Sequence, residues 1–93
     1  MITVDGHNFE LIENKNDCFD IEEFEKLYTD YFYNYDYIVG DIAYSKLRLK
    51  GFYTSDNKKV KPINNIDNLS EYIDKYCAYG CKYFVLKQEK SEK

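Results

Sequence analysis

Two cysteines with three residues between them, Cys77-Ala78-Tyr79-Gly80-Cys81, are the first groups in this chain with a spacing that could do chemistry. A thiol redox centre uses a two-residue spacer at a helix N-terminus, where the dipole lowers the thiol pKa. Here the spacer has three residues, and the pair falls where a helix should stop. At that end the dipole disfavours a thiolate. A zinc site would have to recruit Cys18 and His7 from distant segments to complete a Cys3His set. Cys77 and Cys81 are therefore secondary metal candidates. Gly80 suits a left-handed helix stop, which lets Cys81 pack back on the last turn. His7 lies beside a turn signal, and no Ser/His/Asp set can be assembled around it. Asp41 ends an apolar run and reads as a turn-closing carboxylate. No phosphate loop or dinucleotide fingerprint is present. These patterns exclude the common catalytic constellations, so the chain reads as non-enzymatic and without a cofactor.

Charge is the more informative pattern. The net charge is −4, yet residues 1–41 carry eleven acidic and two basic residues, while residues 42–93 carry eleven basic and six acidic ones. Six of the thirteen basic residues lie between Lys46 and Lys61, opposed there only by Asp56. Alternation in "KLRLKGF" sends Lys46, Arg48, Lys50 and Phe52 to one side of a strand. Lys58, Lys59 and Lys61 follow in the adjoining loop. Cations interleaved with an aromatic on an open sheet face suit a single-stranded nucleic-acid platform. Lys50-Gly51-Phe52 matches the opening of an RNA-recognition strand pattern, which Tyr53-Thr54-Ser55 does not continue. The expected working surface is thus Lys46, Arg48, Lys50, Phe52, Lys58, Lys59 and Lys61. It would dock RNA, a ribonucleoprotein or an acidic protein patch. The competing account is that lysines on a solvated strand deter edge-to-edge pairing. A further alternative is a protein–protein adaptor built on the acidic, Tyr-rich first helix.

The elements that must position these residues are legible in outline. "ITVDGHNFELIEN" reads as a hairpin turning at Asp5-Gly6. Asp20 caps a helix, with Glu23 completing a capping box and Phe19 stapling onto Phe24. Phe24, Leu27, Tyr28, Tyr31 and Phe32 then follow helical spacing, which predicts a helix to about Asn34. "YDYIVGD" and "SKLRLKGFY" are strands, joined through a connection from Gly40 to Tyr44. A polar connection holds the only proline. A second helix is predicted from an Asp67 cap to about Tyr79, with Leu69, Tyr72, Ile73 and Tyr76 as its apolar stripe. "KYFVLKQ" is the last strand. The expectation is an α+β domain over residues 1–88 with a charged tail at 89–93. Its order is βαββαβ, ferredoxin-like or split βαβ, with an extra N-terminal hairpin strand and both helices on one face of a small antiparallel sheet. With no apolar run near the ~18 residues that span a bilayer, no leader pattern and an odd cysteine count, the expected location is the cytoplasm.

The stretches "YDYIVGD", "KLRLKGFY" and "YCAYGCKYFVL", in that order, resemble the YutD-like family of small cytoplasmic proteins of low-GC Gram-positive bacteria. The resemblance spans nearly the whole chain. It implies a compact α+β domain and places Cys77 and Cys81, but not Cys18, in a family-like motif. It brings no activity and no site residue. The family pattern often has Trp and Gly where this chain has Ile42 and Ser45, which weakens the idea of an aromatic at 42 in a binding platform.

Overall fold

The structure, a computed structural model, describes residues 2–4, 6–43, 46–76 and 82–89. Five strands form one antiparallel sheet: β1 (Ile2–Val4), β2 (His7–Asn14), β3 (Tyr37–Ala43), β4 (Lys46–Phe52) and β5 (Lys82–Glu89). Two helices, α1 (Ile21–Leu27) and α2 (Leu69–Tyr76), complete the α+β fold. The element order is the expected one. Gly6, at φ 79°, supplies the left-handed residue of the β1–β2 turn, a conformation that costs glycine little.

In space the strands run β1-β2-β5-β3-β4. β5 is antiparallel to both β2 and β3, so the strands flanking α1 run parallel with β5 between them. β3 separates β4 from β5 in the same way, so both strand–helix–strand units are split. In a ferredoxin-like sheet the first strand of each unit is central. Here the last strands, β3 and β5, are central, an interleaving that element order does not encode.

The helices also depart from expectation, because they lie on opposite faces. Phe24 and Tyr28 beside α1's core side pack with Phe9, Ile38, Phe84 and Leu86. Leu69 and Tyr72 of α2 pack with Val39, Phe52 and Val85. Ile38 and Val39 are chain neighbours, as are Phe84, Val85 and Leu86, and successive strand side chains point to opposite faces. All five are at most 2% exposed. An unbroken apolar run buried on both sides is the mark of a strand covered twice, and it forces one helix onto each face.

Three boundaries differ from expectation. α1 stops at Leu27, and Tyr28 is extended at φ −72°, ψ 131°. A 3-10 turn at Asp30–Asn34 carries the remaining aromatics. β3 runs through Gly40 and Asp41 to Ala43, so the connection is no longer than Tyr44–Ser45. The cap before α2 is Asn65, whose side chain accepts from Asp67 N–H at 2.9 Å, ahead of a short 3-10 turn at Ile66–Asn68. The Asp20 cap is present, accepting from Glu22 N–H at 3.0 Å and Glu23 N–H at 3.4 Å. The Phe19–Phe24 staple is present too, with ring centroids 6.0 Å apart. Glu23 turns to Lys26 at 3.2 Å.

Candidate interaction surfaces

Strand alternation does bring Lys46, Arg48, Lys50 and Phe52 to one face, but that face is not open. α2 covers it. Phe52 is fully buried, with its ring edge-to-face with Tyr72 at 5.4 Å. It cannot stack on a base. The Lys50 ammonium sits 5.5 Å from the Phe52 ring centroid and 5.8 Å from that of Tyr72. A cation held over two rings is stabilised by their quadrupoles and covers the apolar seam with its stem.

Arg48 is committed to Asp41, its cross-strand partner. Nε lies 2.9 Å from Oδ1 and Nη2 3.3 Å from Oδ2, a two-point geometry that Arg supports and Lys does not. Asp41 is 2% exposed. It therefore closes no turn; it is a buried mid-strand carboxylate neutralised by Arg48. Of the seven expected site residues, Lys46, Lys58, Lys59 and Lys61 are exposed, Arg48 is half-exposed and Lys50 is partly covered.

The loop carrying three of those lysines is ordered by Asp36. Its Oδ2 accepts from Thr54 N–H at 3.0 Å and from Asn57 Nδ2 at 3.0 Å. Asn57 Oδ1 accepts from Lys59 N–H at 2.8 Å, and Asn64 Oδ1 accepts from Lys61 N–H at 2.7 Å. The loop backbone is thus pinned while its ammonium groups face water.

A different surface lies along the first third of the chain. Among the described residues seven large hydrophobics are exposed, and six of them fall between residues 11 and 33: Leu11, Ile12, Ile21, Leu27, Tyr31 and Tyr33. Ile21 and Leu27 flank the buried Phe24 on the two sides of α1. Asp20 at the helix cap and Glu22, Glu23 and Glu25 within α1 are exposed beside them, whereas Glu10 and Glu13 pair with Lys87 and Val85 and point to the α2 side. Tyr31 Oη lies 3.0 Å from Tyr35 Oη. That hydrogen bond, with burial adding to it, pushes the Tyr35 phenol up to about 12.

One structural residue escaped the sequence reading. Gln88 is 6% exposed. It donates from Nε2 to the carbonyls of Phe32 at 3.0 Å and Tyr35, and accepts from Tyr28 Oη at 2.8 Å. It ties the 3-10 turn after α1 to β5. A lone Gln in an apolar strand was the available signal, because a buried amide needs this many partners.

His7 packs against Tyr33 in a tilted ring contact with centroids 4.6 Å apart. Cys18 packs at the margin of the larger core cluster, and burial pushes its thiol up. Among the described residues no three His, Cys, Asp or Glu side chains gather as a metal set. Cys77 and Cys81 lie outside the described residues. No helix among the described residues is long and apolar enough to cross a membrane.

A family profile described as "Putative antitoxin YutD-like" matches residues 3–87. The chain belongs to the YutD-like family. It is 48% identical over 88 residues to a Bacillus subtilis (strain 168) protein described as "Putative antitoxin YutD", an alignment covering 95% of this chain and 97% of that one. The solution NMR structure of protein yutD from B. subtilis superimposes with a TM-score of 0.81 at 45% identity. The match covers all of this chain and 84% of that one. The family description names no enzyme class. The α+β class and five-stranded antiparallel sheet agree with that structure.

Proposed function

We propose that this YutD-like protein is a non-enzymatic interaction module that docks a protein partner on the acidic, tyrosine-bearing face around α1. One observation carries the reading: among the described residues, six of the seven exposed large hydrophobic side chains fall in the 11–33 segment. Single exposed hydrophobics are ordinary, but their concentration in one region marks an interaction surface. Rims of like charge then set the sign of the partner and raise its encounter rate. A relative described as a putative antitoxin fits a protein that works by binding. The test is the double variant Ile21→Ser/Leu27→Ser. Both side chains are exposed, so the fold should survive, as read by an unchanged far-ultraviolet spectrum. Partner association in a native lysate, followed by crosslinking, should be lost. Retained association at wild-type level would refute the reading.

A second reading rests on exposed Lys46, Lys58, Lys59 and Lys61. Four cations on the strand and its pinned loop suit phosphate contacts with RNA or a ribonucleoprotein. With Phe52 buried, such binding would be electrostatic, and it should weaken steeply with added salt. Co-sedimentation with RNA particles, abolished by RNase, would favour it over the protein partner.

A further inference from the structure

β4 ends the sheet, and on its outer side no strand pairs with Lys46–Phe52 among the described residues. The direction of its backbone groups can be read from its far end. Phe52 O accepts from Asp36 N–H at 2.9 Å, so Phe52 faces inward to β3. Tyr53 faces outward: its N–H donates to Asn64 O at 2.7 Å, and its carbonyl accepts from Ile66 N–H at 2.9 Å. Those two bonds form a parallel bridge with the segment at Asn65. Backbone polar groups alternate sides along a strand. Gly51, Leu49 and Leu47 therefore also face outward, along the same edge on which the Asn65 segment already adds one bridge. Gly51 is buried, which leaves Leu47 and Leu49 as the docking amides.

We propose that this edge accepts an extended segment of a partner protein whose side chains alternate acidic and apolar. On one face that segment would meet the exposed Lys46 and, four residues along, the partly covered Lys50, with Arg48 between them held by Asp41. On the other it would lie beside the half-buried Leu47 and Leu49. Main-chain bonds to the edge supply affinity, and the alternate side chains supply specificity. The lysines that deter pairing with a second β4 by like charge are the ones that admit an acidic strand; exclusion and recognition use the same residues. RNA offers no ladder for peptide amides, and the ring that β4 itself contributes to this face, Phe52, is buried. The chain's own alternating acidic stretch, Phe9-Glu10-Leu11, is already paired with β5.

The experiment is amide hydrogen exchange by NMR on the full chain, with the acetylated heptapeptide Glu-Val-Glu-Val-Glu-Val-Glu as probe. In the free protein the Leu47 and Leu49 amides should exchange faster than those of Arg48 and Lys50. Saturating peptide should slow Leu47 and Leu49 by about tenfold or more, as strand pairing protects them. The Lys-Val counterpart should leave both unchanged. Lys46→Glu, at an exposed position, should weaken the acidic peptide by about tenfold with the rest of the amide spectrum intact. Peptide binding without slowed exchange at Leu47 and Leu49 would overturn the proposal. So would equal protection by the lysine peptide, or an octauridine RNA that protects these amides when the peptide does not.

Discussion

At the scale of single residues, two aromatic rings decide what β3 and β4 tolerate. A Cβ built on Gly40 would come 2.2 Å from Phe84 Cζ, and one on Gly51 would come 2.2 Å from Tyr35 Cγ. At both positions an aromatic ring occupies the space a side chain would need. Gly40→Ala should destabilise by about 1–3 kcal/mol through overpacking, read as a lower urea midpoint. Adding Phe84→Leu should recover part of the loss, and a wild-type midpoint for Gly40→Ala alone would contradict the contact. This was partly legible. A glycine inside an apolar strand signals a close approach, yet "IVGD" reads more readily as a strand ending in a turn. The Tyr31–Tyr35 pair has no spacing signal outside a helix. Its consequence is a titration. Tyr35 moves from an ordinary 10.0 to about 12, so its neutral form is favoured in the folded state. That contribution is fully present below pH 10 and is lost as pH rises from 10 toward 12, because the unfolded chain releases the proton first. Tyr31→Phe should return the last-titrating tyrosine toward its ordinary range in an ultraviolet titration; an unmoved late transition would contradict the assignment.

At the scale of elements, caps and alternation were readable and coverage was not. Asp20, the Phe19–Phe24 staple and the Gly6 turn are local, so their residues specify them without help from the rest of the chain. The early stop of α1 is not local. Tyr28 leaves helical geometry, and its ring and hydroxyl reach the core and Gln88, so tertiary contacts override a periodicity that continues to Phe32. β4 shows the same limit. Period two correctly placed three cations and Phe52 on one face, but nothing local announced that α2 would close it. The unbroken burial of Phe84, Val85 and Leu86 was the clue. The Arg48–Asp41 pair turns this into a measurable difference. Lys46→Glu should change stability little, because the site is exposed. Arg48→Glu should cost about 2 kcal/mol or more, since it leaves a buried carboxylate facing a like charge; the half-exposure of Arg48 keeps the cost below that of a fully buried pair. Equal thermal midpoints for the two variants would show that Asp41 does not depend on Arg48.

At the scale of the whole molecule, the charge asymmetry seen in the sequence becomes two surfaces of different character. One helix covers each sheet face, and the expected open platform for bases does not exist. The acidic half keeps its exposed hydrophobics around α1, while the basic half spends part of its charge internally, on Asp41 and on the Phe52–Tyr72 seam. Composition alone made the division visible. It could not show which charges were already engaged, because that depends on register and on which face each helix takes. The central claim is that the α1 face is where a protein partner docks. The most direct measurement places a photo-crosslinking amino acid at Tyr31 and, in a separate protein, at Lys58, and irradiates living cells. The account predicts a discrete, RNase-insensitive protein adduct from position 31 that Ile21→Ser/Leu27→Ser abolishes. An adduct formed only from position 58, or one from position 31 that the serine variant leaves intact, would contradict it.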